Sequence, residues 1–593
     1  VPAFSGKTYS FATTVLGTKM LDNVAYGYNQ SVAFSFMQQL LVKSALREWG
    51  DDARAAGEKE VNQLHWRETF VPRRMLELTA EQRAKILQSH MFIGQKRTGE
   101  TKARMVAGGN TQRGHVTKEE SSSPTVSTEA VLLTLIVDAR EGRDVAVVDI
   151  PNAFIQTKVD DAKDRVIIRI TGVIVDWLVK VAPKVYASYV VTNSKGINSL
   201  LVECYNAIYG TMVAGLLYYR KFSSSLKNRG FTVNPYDPCV WNRVIVSKQM
   251  TICFHVDDCK ISHLDPKVVD YTIAWLRNEY ESVFTDGSGM MKVARGKVHK
   301  YLGMTLDFAT SKTVKVTMLE YVDEIIGSWD KACSELDDGY KAVSGRKRIA
   351  TAAPDDLFKV DEDAVKLDQA RAKAFHNITA MGIYVAKRAR PDISLSIAFL
   401  TTRVKGPDID DWRKLCHLVE YLRSTRGLPL ILAADGTGVL SWYVDASFAV
   451  HPDMKGHTGG AMTMGTGFPL DKSTKHKLNT RSSTESEIVA VDDLIPQILW
   501  VRLFLKAQGF AVSDNILYQD NKSAMLLETN GRASSSKRTR HIEIRYYYVA
   551  DQVAKGDLRV VWCPTDEMIA DFLTKPLQGK AFVKFWDLLM GAV

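Results

Sequence analysis

Short apolar runs that stop at a carboxylate punctuate this chain. Val145-Ala-Val-Val-Asp149 is one, and Ile252-Cys-Phe-His-Val-Asp257-Asp258 is another. Apolar stretches of this length, rich in β-branched residues, predict strands. The second run resumes at Cys259-Lys-Ile, so its acidic pair predicts the tight turn of a hairpin. Upstream, apolar residues at helical spacing predict a helix over 35–66. Met91-Phe-Ile-Gly and Ala103-Arg-Met-Val-Ala flank a Gly turn and predict a β-hairpin. Thr128 opens a helix that leads into the Asp149 strand. A helix runs to Gly230, Lys300-Tyr-Leu-Gly-Met-Thr-Leu is another short strand, and 316–426 reads as mostly helical. Near Pro429 the pattern changes to strand, strand, strand, helix, strand, helix. The boundaries that follow are 1–63, an N-terminal helical extension; 64–300; 301–428, mostly helical; and 429–593.

A carboxylate at the tip of an apolar strand is costly unless it is paired or holds a metal. Any single Asp-Asp pair is ordinarily a solvated turn. Two apolar strands ending in Asp149 and in Asp257-Asp258 are harder to dismiss, because together they could hold two divalent ions of the kind that stabilise both oxygens in phosphoryl transfer. The segment after Pro429 carries a second acidic set: Asp445 in Leu440-Ser-Trp-Tyr-Val-Asp445, Glu485 in Ser482-Ser-Thr-Glu485, Asp520 in Ile516-Leu-Tyr-Gln-Asp520, and Asp571 in Ala570-Asp571-Phe. Ser482 or Ser483 would cap the helix that begins near Glu485 and so fix that carboxylate in the first turn.

Composition changes this picture little. The 593 residues are 46% apolar and 24% charged, ordinary for globular protein, and long enough for three or four domains. The net charge of +10 favours an acidic partner such as nucleic acid. Local charge is more telling: between Trp66 and Lys118, eleven Lys and Arg residues face four Glu. Seven cysteines without Cys-x-x-Cys spacing predict neither a zinc site nor a disulfide framework, and so a reducing compartment. The longest apolar runs, such as Ala130-Val-Leu-Leu-Thr-Leu-Ile-Val, are too short to span a bilayer, and no membrane partner is expected.

Taken in order, the motifs resemble the reverse transcriptase–ribonuclease H portion of copia-type LTR retrotransposons (Pseudoviridae). The residues that carry the resemblance are Lys102-Ala-Arg-Met-Val-Ala-Gly-Gly-Asn-Thr-Gln, Asp149-Ile-Pro-Asn-Ala-Phe, Tyr209-Gly, Val256-Asp-Asp, Tyr301-Leu-Gly, Arg390-Pro-Asp-Ile, Asp445-Ala-Ser, Arg481-Ser-Ser-Thr-Glu-Ser-Glu, Gln519-Asp-Asn-Lys-Ser-Ala and Ala570-Asp-Phe-Leu-Thr-Lys-Pro-Leu. They cover about residues 64–593. The resemblance implies an α+β multidomain protein: a right-hand polymerase with fingers and palm over 64–300 and a thumb or connection over 301–428, followed by an α/β ribonuclease H-like domain over 429–593. It implies RNA- and DNA-templated DNA synthesis and cleavage of the RNA strand of hybrids, copying retrotransposon RNA into cDNA. Asp149, Asp257 and Asp258 would hold the polymerase metals, and Asp445, Glu485, Asp520 and Asp571 the nuclease metals, with two Mg2+ per site and Mn2+ as the alternative ion. Arg97, Lys102 and Arg104, with Lys96 beside them, would grip the incoming triphosphate. Phe154, five residues past Asp149, would exclude a ribonucleotide 2′-OH. Tyr301 to Met304 would sit near the primer end.

The partners so implied are an RNA template, a DNA or tRNA primer, an RNA–DNA hybrid, dNTPs, and integrase or capsid of the same element. The expected place is cytoplasmic, within virus-like particles, with later nuclear access for the cDNA. Three departures stand out. Val213 replaces the Gln usual three residues after Tyr-Gly, and His255 replaces the usual Tyr before Val-Asp-Asp. No His precedes the last Asp in Cys563-Pro-Thr-Asp566, and His541, in a basic run, is either its substitute or a contact to the phosphate backbone. The alternative reading is a catalytically silent, domesticated nucleic-acid-binding protein; the presence of all seven carboxylates argues against it. A DNA-templated polymerase with a proofreading nuclease is disfavoured by the position and order of the second acidic set.

Overall fold

The computed structural model describes residues 38–95, 100–114, 117, 121–282, 284, 289–335, 349–531 and 543–592. Four sheets and their flanking helices make up a mixed α and β architecture. The basic segment near the N-terminus forms the expected hairpin. Strand β1 (Leu87–Gln95) pairs antiparallel with β2 (Thr101–Ala107) at the margin of a seven-stranded sheet. The helix Val42–Trp66 lies against both strands and shares their apolar core. A boundary at 63 therefore falls inside a helix, and the part of the extension that is described is built into this unit.

At the centre is a six-stranded antiparallel sheet. Its members are β3 (Asp144–Asp149), β4 (Thr232–Asn234), β5 (Asp237–Ile245), β6 (Lys248–His255), β7 (Asp258–His263) and β8 (Lys292–Ala294), in the order β8-β3-β7-β6-β5-β4. The helix Thr128–Glu141 is buried from Ala130 through Ala139, so its sequence is apolar nearly all round. Ser127 caps it by accepting from Ala130 N–H at 3.1 Å, and Gly142 ends it in the left-handed region. Within this core Asp138 accepts from Lys260 and, at 2.6 Å, from Ser262, which ties the helix to β7. Both Asp138 and Lys260 are buried. Such a pair is retained only when each charge has partners.

The region 301–428 is less uniformly helical than its pattern predicts. Val298–Tyr301, Met304–Asp307, Val314–Thr317, Leu430–Ala434 and Gly465–Thr466 form a further sheet in that order. Leu430–Ala434 thus pairs with a strand more than a hundred residues earlier, and the boundary expected at 428/429 divides this sheet. The helices Leu319–Glu335, Gln369–Ala386, Ser394–Arg403 and Ile409–Ser424 supply the helical character. The Arg390-Pro-Asp-Ile motif is a structural clamp here. Arg390 forks onto Asp392 at 2.9 and 2.8 Å, Tyr421 donates to Asp392 at 2.6 Å, and Trp586 donates to Tyr421 at 3.0 Å.

The last sheet comprises β9 (Val439–Ser447), β10 (His457–Thr463), β11 (Leu470–Lys475), β12 (Asp514–Gln519) and β13 (Arg559–Trp562), ordered β11-β10-β9-β12-β13. The first three are antiparallel neighbours; β12 and β13 run parallel to β9. The long helix Ser483–Ala507 packs on this sheet and also reaches the central one. Trp500 donates to Tyr236 O at 2.9 Å, and Gln249 to Gln508 O at 2.8 Å. Among the described residues no helix is long and apolar enough to cross a membrane.

Candidate active sites: two carboxylate clusters

Register builds the first cluster. On adjacent strands Asp258 stands directly opposite Asp149. His255 pairs with Asp258, which leaves Val256 and Asp257 as a two-residue turn. Val256 has φ +59°, unusual for a β-branched residue, and this bend presents Asp257 beside the strand ends. Asp257 O accepts from Ile150 N–H at 2.9 Å, so the turn is fastened to the chain leaving β3. Burial pushes the Asp258 carboxyl up to about 7, with Asp257 and Asp149 adding to the rise. Asp257 is also raised, first by burial and then by Asp149, while Arg104 and Lys102 oppose the shift. Carboxylates so placed attract a cation.

Arg104 projects from β2, opposite Phe92. Its guanidinium lies 4.2 Å from the Tyr209 ring centroid. Burial disfavours its charge, but Tyr209, Glu60 and Asp257 more than offset that and raise its pKa. Phe154 is half-buried and lies 5.0 Å from Tyr209, centroid to centroid, so Arg104, Tyr209 and Phe154 form one continuous stack. Gly210 makes this closeness possible. It has φ +88°, and a Cβ there would lie 2.2 Å from Ala107 O on β2. Lys102 is exposed on the same strand, whereas Arg97 and Lys96 fall outside the described residues, as does His541. Val213 occupies the N-cap of the helix Ala214–Asn228, and Gln112 reaches this turn, accepting from Met212 N–H at 3.1 Å. Tyr301 is buried and donates to Cys253 O at 3.0 Å; Leu302 and Gly303 make the turn beyond it. His255 is half-buried, its pKa lowered by burial and by nearby Arg388.

Two side chains that brace this site are not marked in the sequence. Glu60, on the helix Val42–Trp66, is buried beneath the hairpin and accepts from Met105 N–H at 3.0 Å. Gln63, one turn on, accepts from Asn152 at 2.6 Å in the loop between Asp149 and Phe154. In the sequence Glu60 is one of two acids in Glu58-Lys-Glu60. Only its spacing from Gly57 and Leu64, both buried, marks its face.

The second cluster is tighter. Asp445, Glu487 and Asp520 offer oxygens that all lie within 4.8 Å of one another, the one such acidic or His/Cys group among the described residues. Asp445 is on β9, opposite Gly459, and Asp520 follows the end of the neighbouring β12. A Cβ at Gly459 would lie 2.5 Å from Thr574 Cγ2, so the missing side chain admits the turn that carries Asp571 and Thr574. Thr574 donates its hydroxyl to Asp445. Burial pushes Asp571 up to about 6, with Asp445 adding and Lys575 opposing.

Glu487 takes the place expected of Glu485. Ser482 is the cap, accepting from Glu485 N–H at 3.2 Å, and this fixes the helix phase. The Glu485 carboxylate turns back to accept from Arg481 N–H at 2.7 Å, outside the cluster. Two residues along an α-helix are about 200° apart, so only one of the two acids can face Asp445. Glu487 continues the buried stripe of Val491, Leu494, Ile498, Val501 and Leu505, but Glu485 is buried as well, so burial alone does not separate the two acids. The Glu487 carboxyl is raised well above normal by burial, Asp445 and Asp520. Behind it Glu528 is wholly buried, with no hydrogen-bond partner for either oxygen, and burial pushes it up to about 8.

Residues 81–335 match the family model for reverse transcriptase (RNA-dependent DNA polymerase), a span that contains the whole first cluster and its basic hairpin strand β2. The chain is 24% identical over 489 residues to the retrovirus-related Pol polyprotein from transposon TNT 1-94 of Nicotiana tabacum, covering 81% of this chain and 33% of that protein. It is 23% identical over 534 residues to the transposon Ty1-H Gag-Pol polyprotein of Saccharomyces cerevisiae, covering 88% and 27%. A crystal structure of prototype foamy virus protease-reverse transcriptase aligns with 12% identity over 87% of this chain and 76% of that one, at a TM-score of 0.27. The chain spans about a third or less of the length of these curated relatives. It carries the domain of an RNA-directed DNA polymerase. Over residues 81–335 the chain is thus similar to reverse transcriptases, and over most of its length to the Pol polyproteins of these transposons.

Proposed function

We propose that this chain extends a primer 3′-OH with dNTPs on RNA and DNA templates, and that its second cluster cuts the RNA strand of the resulting hybrid. The observation that carries this reading is the presence of two separate carboxylate clusters, only the first of which lies in the matched polymerase domain. On this reading the seven-stranded sheet with its hairpin serves as fingers, the six-stranded sheet as palm, and the helices between Leu319 and Ser424 as thumb. The sheet beginning at Val439, with three antiparallel strands and two parallel additions, serves as the ribonuclease H-like domain.

Both donor sets consist of carboxylate oxygens alone, which suits a hard cation such as Mg2+, with Mn2+ as the alternative. Asp149, Asp257 and Asp258 would hold ions at the first site, and Asp445, Glu487, Asp520 and Asp571 at the second. When bound, two such ions stabilise the charge on reacting phosphate oxygens. Arg104 reaches toward Asp257 from the hairpin and offers a planar fork for the triphosphate, with Lys102 as a second cation. Phe154, braced by Tyr209, presses on the nucleotide sugar and excludes a 2′-OH. Template, primer and hybrid are held mainly through phosphates, so binding weakens with salt. The Saccharomyces relative is named a Gag-Pol polyprotein. This chain is proposed to act beside the capsid and integrase of its own element, in cytoplasmic virus-like particles, before the cDNA reaches the nucleus.

The test is extension of a DNA primer on a labelled RNA template with Mg2+, reading synthesis and template cleavage together. Both products are expected. A folded protein that binds the hybrid and yields neither product would be a silent nucleic-acid-binding protein instead.

A further inference from the structure

Lys575 is the cation of the second cluster, and its surroundings are not those of an ordinary surface lysine. Its Nζ lies 2.5 Å from Asp571 Oδ1, one helical turn back along the chain, and such a pair alone would be unremarkable. It also lies 3.5 Å from Asp445 Oδ1, on a strand 130 residues away, whose side chain is only 3% exposed. Asp520 adds to the attraction. The neighbouring Thr574 donates its hydroxyl to Asp445 and its backbone oxygen accepts from Ser447 at 3.1 Å, so the backbone that carries Lys575 is fixed to β9. The Lys575 side chain is itself 39% exposed, so its ammonium has a route out of the cluster on a flexible stem.

We propose that Lys575 is a built-in competitor for the metal: its ammonium bridges Asp445 and Asp571 until a divalent ion displaces it toward the nucleic-acid phosphate. This inference rests on the reading of the cluster as a divalent-cation site. An ammonium and a cation cannot share the same carboxylate oxygens without strong like-charge repulsion. Metal entry therefore requires Lys575 to leave. A phosphate at the mouth of the site would receive the displaced charge. Ion and hybrid would consequently load together, and the nuclease would stay poorly metallated when no strand is bound.

The experiment uses the full chain carrying Asp257→Asn and Asp258→Asn, so that the first cluster is disabled, and titrates Mn2+ by calorimetry without nucleic acid. Adding Lys575→Met should tighten Mn2+ binding by about ten-fold or more, lower the melting temperature without metal, and restore it with Mn2+. Lys575→Arg should keep binding near the parent level. Unchanged or weaker Mn2+ binding in Lys575→Met would overturn the proposal. Asp445→Asn is the control for the underlying reading: if it leaves the Mn2+ heat intact, the cluster is no metal site and the fault lies there. Should Lys575→Met fold only with metal, Mn2+ release into excess chelator is read instead. Slower release than in the parent supports displacement, and equal or faster release overturns it.

Discussion

The two carboxylate clusters draw their positive charge from different distances. In the first cluster Asp257 is opposed by Arg104 and Lys102, which come from another sheet. That hairpin is held in place by Glu60 from the N-terminal helix and by the close approach at Gly210. Asp445 and Asp571 are opposed by Lys575, four residues after Asp571 itself. The first cluster is thus balanced only while separate parts of the fold stay together, whereas the second carries its counter-ion on the same turn. A cluster of the first kind can respond to a nucleotide that draws the hairpin in. One of the second kind can respond only to what displaces its lysine.

The strongest way to break this comparison is to cross the sites. Asp257→Asn is expected to abolish DNA synthesis and spare cleavage of a preformed hybrid. Glu487→Gln is expected to do the reverse, and Glu485→Gln to leave cleavage near the parent level, because its carboxylate serves the helix start. Primer extension and hybrid cleavage on all three proteins check this. Loss of both activities in one folded variant would mean a single shared site, and a dead Glu485→Gln beside an active Glu487→Gln would reverse the assignment.

A smaller effect is expected at the hairpin. Arg104→Ala should raise the apparent KM for dNTP by roughly ten- to hundred-fold, the range for losing a hydrogen bond to a charged group, and change template–primer affinity less. Steady-state kinetics with filter binding separates the two; weakened duplex binding at an unchanged KM would make Arg104 a backbone contact. Phe154→Val should narrow the preference for dNTP over rNTP, and an unaltered ratio would reduce Phe154 to a packing residue. Glu60→Gln keeps an acceptor for Met105 N–H but removes the charge facing Arg104. It should raise the dNTP KM by only a few-fold, with kcat retained. A matching fall in kcat with KM unchanged would show that the helix acts elsewhere.

How much of this could be read in the chain follows from the kind of contact. Asp149 and the Asp257-Asp258 pair were legible because strands end where they change character, and a two-residue turn needs no partner to be recognised. The second cluster was legible as a set but not in phase: Glu485 and Glu487 are both buried, and what separates them is the direction each faces from the helix that Ser482 caps. Leu430–Ala434 was grouped with the strands after it, because nothing local announces a partner at Val314–Thr317. Glu60 was invisible for a related reason. A carboxylate that is buried to receive a backbone N–H from a distant strand looks, in sequence, like any acid on a charged helix.

Behind the second cluster, one buried carboxyl ties stability to pH. Glu528 is buried without a partner for either oxygen, and its folded pKa of about 8 stands well above the ordinary 4.5. Below about pH 4.5 the group is protonated in both folded and unfolded chains and has no effect on stability. As pH rises to 8 the unfolded chain ionises while the folded one keeps its proton, so stability falls by about 1.4 kcal/mol per unit. Above 8 the penalty stops growing. Glu528→Gln cannot ionise, so its melting temperature should gain on the parent's steadily between pH 5 and 8 and show little gain at pH 5. Thermal melts of both proteins across that range read this group together with its effect on Glu487. A difference that does not vary with pH would mean that Glu528 finds a partner in solution. The comparison would then sharpen, since a charged Glu528 adds to the repulsion on Glu487 and would leave Lys575 balancing a still more negative cluster.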